Sequence, residues 1–197
     1  ISYDKLKKMG VSQSKQFADL VTAPRCETNK FMGTWFVIGV KPTPFETTCS
    51  NAVETYTRLQ GKSHDINIDF KYNKSDPITS PIKSLPQKGY IVGDKEDSSS
   101  WKVSPLPLVK MPYPIIEVDD QNYEWVVVGH NARSYVWIMA RKPVMDDDLY
   151  NSLTTKLVEK HQYDLEGLRK VPQKWTRKER AERKLENEIP DELLVSE

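Results

Sequence analysis

Short runs of alternating apolar and polar residues fill the middle of the chain. In the clearest run, residues 66–71, Ile66, Ile68 and Phe70 share one face while polar side chains occupy the other. A period of two residues is typical of a strand with one buried and one solvated face. Similar runs, rich in β-branched and aromatic residues and bounded by turn residues, predict eight strands. They lie near residues 34–41, 51–59, 65–72, 87–93, 100–104, 113–118, 124–129 and 134–141.

The links between the predicted strands are short. Residues 60–62 and 119–122 carry the Gly, Asp and Asn that hairpin turns favour. Eight consecutive strands joined in this way predict an antiparallel meander, which either closes as a barrel or folds as a sandwich. Closure into a barrel leaves no strand edge exposed. The predicted fold class is therefore all-β.

The hydrophobic period changes after residue 145. Leu149, Leu153 and Leu157 recur every four residues and form one apolar stripe. The Asp residues at 146–148 supply an N-cap and negative charge where a helix would begin. We predict one amphipathic helix near residues 146–161, with its apolar stripe packed against the outside of the strands.

The composition of the chain argues against several classes of protein. The chain of 197 residues carries 29 Lys and Arg against 28 Asp and Glu, a net charge of +1. A nucleic-acid-binding protein is expected to show a basic excess, so this balance argues against that class. The sequence contains no run of about 18 apolar residues, which is the length that a membrane-spanning helix needs. Two cysteines are too few for a disulfide-rich scaffold or a cysteine-based zinc finger.

Catalytic and metal-binding patterns are not found in the sequence. His64, His130 and His161 show no metal-ligand spacing, and no Gly-rich phosphate loop, Gly-x-Ser-x-Gly or Cys-x-x-Cys occurs. We therefore predict that the protein is not an enzyme, with no catalytic residues, no metal site and no required cofactor.

Two segments carry a family resemblance. Gly33-Thr34-Trp35 stands at the start of the first predicted strand, and residues 134–143 read Ser-Tyr-Val-Trp-Ile-Met-Ala-Arg-Lys-Pro just before the helix. The first segment resembles the Gly-x-Trp signature of the lipocalins. The second resembles the last barrel strand of the group that contains bacterial lipocalins, apolipoprotein D and the temperature-induced lipocalins of plants and chloroplasts. The resemblance covers roughly residues 30–175.

The resemblance implies an eight-stranded antiparallel up-and-down β-barrel with one C-terminal α-helix packed outside it. In this fold Trp35 plugs the closed end of the barrel. Arg141 stacks across the indole and binds carbonyl groups of the opening turn, and Gly33 permits close approach of the backbone. These three residues are therefore expected to be structural rather than ligand contacts.

The resemblance also implies a function for the cup of the barrel. Such a cup binds or carries a small hydrophobic molecule, for which we name a fatty acid, a lysophospholipid, a sterol or a carotenoid. The predicted ligand-binding residues face inward by alternation and by similarity to the family: Val37, Tyr56, Ile68, Phe70, Val103, Tyr113, Ile115, Val127, Tyr135 and Trp137. A bound lipid or pigment would then accompany the protein. The alternative is a barrel whose interior these side chains fill for structure alone.

Glu54 is a carboxylate at a position predicted to face inward. It could hold the polar head group of a ligand, or its side chain could extend to the open rim of the barrel. The rim is the favoured interpretation.

Cys26 precedes the first predicted strand and Cys49 precedes the second. A disulfide between them would tie the N-terminal arm to the first large loop and contribute about 3–4 kcal/mol on the chain-entropy model. Such a bridge implies an oxidising extracytoplasmic compartment, either secreted or an organelle lumen such as that of the thylakoid. Asn73-Lys74-Ser75 also matches a glycosylation sequon in a predicted loop.

The two ends of the chain extend beyond the resemblance. We predict an N-terminal arm at residues 1–30, the barrel with its helix at residues 31–175 and a charged extension at residues 176–197. The extension has few apolar residues, so it is expected to be a solvated helix, a disordered tail or a partner-binding arm. The alternative to ligand binding is therefore a role as an accessory subunit of a larger organellar or photosynthetic membrane complex. Such a subunit would dock through residues 1–30 and 172–197. Peripheral association with a membrane is compatible with this alternative.

Overall fold

The computed structural model describes residues 17–44, 46–61, 63–106 and 108–196 and confirms the predicted β-barrel with an external helix. The strands of the described chain are β1 (Gly33–Lys41), β2 (Cys49–Arg58), β3 (Ile66–Lys74), β4 (Ile82–Ile91), β5 (Ser100–Ser104), β6 (Met111–Val118), β7 (Trp125–Val128), β8 (Val136–Ala140) and β9 (Arg169–Lys170). The helices are α1 (Thr28–Phe31), α2 (Asp147–Glu159) and α3 (Arg177–Arg183), followed by a 3-10 turn at Asp191–Leu193. None of the helices in the described ranges is both long and apolar enough to cross a bilayer. Residues 1–16 of the predicted N-terminal arm lie outside the described residues.

Eight antiparallel strands close on themselves. The order in the sheet runs from β2 through β8 to β1, and β1 also pairs with β2. The largest difference from the predicted strands is at β4, which begins at Ile82 rather than near residue 87. Pro86 lies inside β4, where it faces Asp69 of β3. A proline is unfavourable in most strands, so the sequence pattern did not predict a strand for the first half of β4.

Near one end of the barrel, β1 and β2 separate. They pair from Gly33 with Tyr56 to Phe36 with Val53, and a register shift follows in each strand. Strand β9 then pairs with the second half of β1, and the Asn51 amide of β2 donates to the carbonyl of Pro172 at 2.8 Å. The segment after α2 therefore fills the space between β1 and β2 and completes the wall.

The apolar side chains form two clusters, one inside the barrel and one outside it. The inner cluster contains Trp35 and Trp101, and the outer cluster lies between the barrel and α2. Leu153 and Leu157, from the predicted stripe of α2, are buried in the outer cluster. The Asp146 carboxylate accepts a hydrogen bond from the Asp148 amide at 2.8 Å and caps the helix. The stripe thus packs outside the barrel, as the sequence predicts.

Trp35 and Arg141 lie together at the closed end. The Arg141 guanidinium is 3.6 Å from the centre of the Trp35 ring, and its Nη1 donates to the carbonyl of Thr34 at 2.9 Å. The indole Nε1 of Trp35 donates to the carbonyl of Phe31 at 2.8 Å. Gly33 has a φ of 96°, a conformation that favours glycine, and a Cβ there would lie 3.4 Å from Arg141. These contacts close the Trp35 end of the barrel, beneath the inner cluster.

The C-terminal segment, residues 171–196, folds back onto the barrel. Trp175 and Ile189 are almost completely buried, as are the charged side chains of Glu179 and Arg183 in α3. Arg183 Nη2 donates to Glu179 Oε2 at 2.8 Å. The prediction of a solvated or disordered charged extension is therefore wrong for these residues.

Asn73 of the glycosylation sequon lies in β3 rather than in a loop, and its side chain is fully buried. Its Nδ2 donates to the carbonyl of Ser80 at 2.7 Å, and its Oδ1 accepts a hydrogen bond from Arg183. A glycan needs an exposed amide, so the predicted loop site is wrong.

Cys26 and Cys49 are both buried free thiols, so the predicted disulfide is not present. Cys49 begins β2 at the open end of the barrel, whereas the Cys26 amide binds Asp97 at the closed end at 2.7 Å. The length of β2 separates these ends by about 25–30 Å, and a disulfide needs Cα atoms about 4–7 Å apart. Burial raises the pKa of Cys26 to about 12 and that of Cys49 to about 11. The inference of an oxidising compartment, which rested on this bridge, loses its support.

Candidate functional site

A cavity of about 170 Å³ opens at the end of the barrel opposite Trp35. Its floor and walls come from inward-facing residues of the strands, and its mouth comes from loops between β1 and β2, β5 and β6, and β7 and β8. The lining residues are Thr43, Glu46, Glu54, Phe70, Tyr72, Leu85, Gln87, Val103, Pro105, Leu106, Met111, Pro112, Tyr113, His130, Tyr135 and Trp137. Most of these side chains are aromatic or aliphatic, so the cavity suits an apolar ligand.

Glu54 lies at the floor of the cavity and not at its rim, so the favoured sequence interpretation is wrong. The side chain is 4% exposed. Tyr56 donates a short hydrogen bond to Glu54 Oε2, and Tyr113 donates to the same oxygen at 3.2 Å. The two tyrosine oxygens are 2.6 Å apart. The three side chains form one buried hydrogen-bonded cluster at the floor.

The floor cluster has unusual acid–base properties. Burial raises the pKa of Glu54 to about 7, against hydrogen bonds from the two tyrosines that lower it, and the Glu46 carboxylate contributes to the rise. Burial first, and then the adjacent Glu54 carboxylate, raises the pKa of both Tyr56 and Tyr113 well above the ordinary value. The tyrosines therefore remain protonated donors, whereas Glu54 changes charge near neutral pH.

The aromatic residues beneath this cluster close the floor. The Phe31 ring packs against Tyr56 at a centroid distance of 5.0 Å and against Trp101 at 4.6 Å. Both pairs are close to edge-on, an arrangement that aromatic rings favour. The floor is therefore filled with side chains, and within the described residues the cavity opens at the loop end.

Glu46 and His130 lie nearer the mouth. The indole of Trp137 donates to Glu46 Oε1 at 2.8 Å, and the Thr43 hydroxyl donates to Glu46 Oε2 at 2.6 Å. Both carboxylate oxygens of Glu46 are therefore satisfied. Burial lowers the pKa of His130, so this imidazole is neutral at neutral pH.

Ten residues were predicted to bind the ligand, and the structure divides them into three groups. Phe70, Val103, Tyr113, Tyr135 and Trp137 line the cavity. Val37, Tyr56, Ile68 and Ile115 are buried in the inner cluster but do not line the cavity. Val127 belongs to the outer cluster and packs on the side of α2.

The inward orientation predicted for Val127 is therefore wrong. Residues 126–128 are three consecutive valines, so the sequence contains no alternation that distinguishes the faces of β7. The register between β6 and β7 shifts between Ile115 and Glu117. A shift of one residue reverses the face of every side chain in the strand. Val126 and Val128, and not Val127, face inward.

Several lining residues were missed by the sequence prediction. Tyr72 and Met111 continue the inward alternation of Phe70 and Tyr113, and that pattern could have identified them. Glu46 and His130 lie in loops, where alternation does not apply. Among the described residues, no three His, Cys, Asp or Glu side chains form a group that could hold a metal ion.

A closed eight-stranded barrel with a plugged floor, an open apolar cup and a long external helix defines a cup-shaped binding fold. Residues 26–173 match the family model described as a lipocalin-like domain. This match spans most of the chain, so the chain belongs to the lipocalin family.

Similar proteins agree with this assignment. Temperature-induced lipocalin-1 of Arabidopsis thaliana is 29% identical over 155 residues, which cover 73% of this chain and 77% of the relative. The outer membrane lipoprotein Blc of Vibrio cholerae is 25% identical over 121 residues, covering 61% of this chain and 67% of the relative. Both belong to the group that the sequence resembles, so the recognition is confirmed.

Solved structures show the same fold. Insecticyanin from the tobacco hornworm Manduca sexta superposes with a TM-score of 0.56 at 14% identity, covering 79% of this chain and 85% of that chain. Apocrustacyanin C2 superposes with a TM-score of 0.51 at 15% identity, covering 74% and 78% of the two chains. Identities this low support the shared architecture only.

Proposed function

We propose that the protein binds a small hydrophobic molecule in its cup without transforming it chemically. The observation that carries the proposal is the cavity at the loop end, whose walls include Phe70, Val103 and Trp137. A barrel of eight strands has just enough interior for side chains or for one small ligand. Side chains fill the lower half of this barrel and leave the upper half open.

The size of the cavity limits the ligand. At about 170 Å³ it is close to an apolar cavity of about 150 Å³ that holds benzene in another protein. Typical pockets for larger ligands have volumes of about 300–1,000 Å³. The cavity is therefore small for a whole sterol or carotenoid. One end of an acyl chain fits, with the remainder leaving through the mouth.

Filling the cup tests this proposal. We expect Val103→Phe to place a ring in the cavity and to weaken binding of the apolar dye N-phenyl-1-naphthylamine by about tenfold or more. Its matched control is Lys102→Phe, which adds the same side chain to the exposed face of β5. Dye fluorescence measures binding, and circular dichroism checks that both variants fold. If neither the wild-type protein nor the control binds the dye, the proposal loses support, and smaller apolar ligands decide between it and a barrel that serves structure alone.

Native material provides an independent test. Mass spectrometry of purified protein should detect a stoichiometric lipophilic molecule that is depleted in Val103→Phe. Equal amounts in the two proteins would place that molecule elsewhere.

The alternative, an accessory subunit docked through the chain ends, has less support. Glu179 and Arg183 of the C-terminal segment contact the barrel through buried polar groups. Those side chains are therefore not available to a partner. The alternative now depends on residues 1–30 and on the exposed side chains of residues 172–197. Size-exclusion chromatography of a native extract tests it, since a carrier should elute as a monomer and an accessory subunit should elute within a much larger complex.

A further inference from the structure

In the part of the chain that the structure describes, the floor of the cup contains one carboxyl group, that of Glu54, and no Lys or Arg side chain. Glu54 lines the cavity and is more than nine-tenths buried. Both tyrosines of the floor cluster bind its Oε2, so Oε1 has no hydrogen-bond partner within the described residues. An ionised carboxylate accepts hydrogen bonds on both oxygens, so the donor to Oε1 comes from the cavity, as water or as part of a ligand. Glu54 Oε1 is therefore a hydrogen-bond acceptor that faces the cavity.

The charges around Glu54 favour a donor over an anion. Strands β2 and β6 contribute the hydroxyls of Tyr56 and Tyr113, and β3 contributes Tyr72. The loops contribute Glu46 and the neutral His130. No Lys or Arg is among the described residues that line the cavity. Two carboxyl groups in a poorly solvated cup repel a third.

We infer that Glu54 anchors the head group of an amphiphile that enters head first, and that this head donates hydrogen bonds, as an ammonium or hydroxyl group does. This inference rests on the proposed ligand-binding function and makes its chemistry specific. The aromatic walls above the floor hold the first part of the alkyl chain, and the rest leaves through the mouth. A fatty-acid carboxylate is disfavoured, although fatty acids were among the ligands expected from the sequence.

An ammonium head gains most from this site. It carries a positive charge and several N–H donors to the free Oε1, so it keeps Glu54 ionised. A hydroxyl donates to the same oxygen without the charge. A carboxylate can bind only when Glu54 is protonated and donates to it. The three head groups should therefore bind in the order amine, alcohol, carboxylate at a pH where Glu54 is ionised.

Octylamine, octanol and octanoate, which share one chain length, test the order by displacing N-phenyl-1-naphthylamine from the full chain. At about pH 8 we expect octylamine to bind at least about tenfold more tightly than octanoate. When the pH falls from about 8 to about 6, the affinity for octanoate should rise several-fold, because Glu54 gains a proton while octanoate remains ionised. Octylamine should show the opposite trend.

Three variants identify the responsible group. Glu54→Gln should remove the preference for the amine and make octanoate binding independent of pH. Tyr113→Phe keeps the carboxylate, so octylamine should still bind more tightly than octanoate, while the loss of a cavity-lining hydroxyl changes both affinities. Glu166→Gln, at an exposed carboxylate that does not line the cavity, should behave as the wild type. Circular dichroism checks that each variant is folded.

The outcomes separate the two proposals. If the dye binds but the three head groups differ by less than about twofold, the head-group inference is overturned and the binding function stands. A stronger affinity for octanoate than for octylamine at pH 8 overturns it as well. Failure of the wild-type protein to bind the dye or any of the three amphiphiles overturns both proposals.

Discussion

At the scale of single residues, Glu54 departs most from ordinary behaviour. Its carboxyl group is buried among apolar and phenolic side chains, and burial raises its pKa to about 7. An exposed glutamate ionises near pH 4.3. Between these two values the folded state therefore holds a proton that the unfolded state has lost. Protonation of Glu54 favours the fold, which is opposite to the usual effect of a carboxyl group.

This sign leads to a prediction for stability. The contribution of protonated Glu54 is fully present below about pH 4.3 and is lost as the pH rises through about 7. Glu54→Gln removes the ionisation, so the variant should be more stable than the wild type at about pH 8, by on the order of 3 kcal/mol. Near pH 4 the two proteins should be equally stable.

Urea denaturation at several pH values measures the difference. The exposed variant Glu166→Gln serves as a control and should show no gain at high pH. A Glu54→Gln variant that is less stable than the wild type at about pH 8 would show that the ionised carboxylate contributes favourably through Tyr56 and Tyr113.

Alternation along a strand predicts which face a residue occupies but not its height in the barrel. Phe70 and Ile68 are both inward-facing residues of β3, yet only Phe70 lines the cavity. Ile68 lies opposite Tyr56, nearer the closed end. The height depends on strand pairing between distant segments, which the sequence does not display. For the same reason, the contact between Glu54 and Tyr113 was not predictable.

At the scale of elements, α3 shows how tertiary contacts override an amphipathic pattern. The sequence of α3 is charged on every side, which is typical of a solvated helix. In the fold, Glu179 and Arg183 lie one turn apart and face the barrel, with the Arg183 guanidinium 4.9 Å from the centre of the Trp175 ring. Arg183 also donates to the carbonyl of Asn51 and the side chain of Asn73. Distant polar residues thus satisfy these charges.

This arrangement predicts a strong coupling between Glu179 and Arg183. Arg183→Met should lower the free energy of unfolding by about 3–5 kcal/mol, because it leaves the Glu179 carboxylate buried without its partner. The double variant with Glu179→Gln should lose much less than the sum of the two single losses. Urea denaturation of the four proteins measures this coupling. Additive losses would contradict the buried pair.

At the scale of the whole molecule, the barrel wall is incomplete without the end of the chain. β9 pairs with β1, and Gln173 Nε2 donates to the carbonyl of Val37 at 2.9 Å and to that of Ala52 at 3.3 Å. Trp175 then packs on Phe36 from outside, with the two rings nearly perpendicular. The residues that follow the helix therefore join two strands that separate from each other.

Truncation tests the role of this segment. A chain without residues 175–197 loses the buried side chains of Trp175, Leu185 and Ile189, each of which contributes about 1.5–3 kcal/mol. The sum is comparable to the whole stability of a domain, about 5–15 kcal/mol. We expect the truncated chain to melt at a much lower temperature or to fail to fold.

A chain without residues 196 and 197 is the matched control, and its melting temperature should be unchanged. Thermal unfolding followed by circular dichroism measures both. Unchanged melting of the longer truncation would contradict a structural role for the segment.

The sequence by itself determined the local features of this protein. Alternation and turn residues defined eight strands, the leucine stripe defined α2, and the segments around Trp35 and Arg141 indicated the lipocalin family. These features depend on neighbours in the chain, whose pattern is visible in one dimension. Only the tertiary structure decided where the cup remains open, that Glu54 lies on its floor, that the cysteines are far apart, and that the charged C-terminal segment is buried. Each of these depends on strand register or on pairs of residues distant in sequence, because long-range packing selects the partners of a side chain.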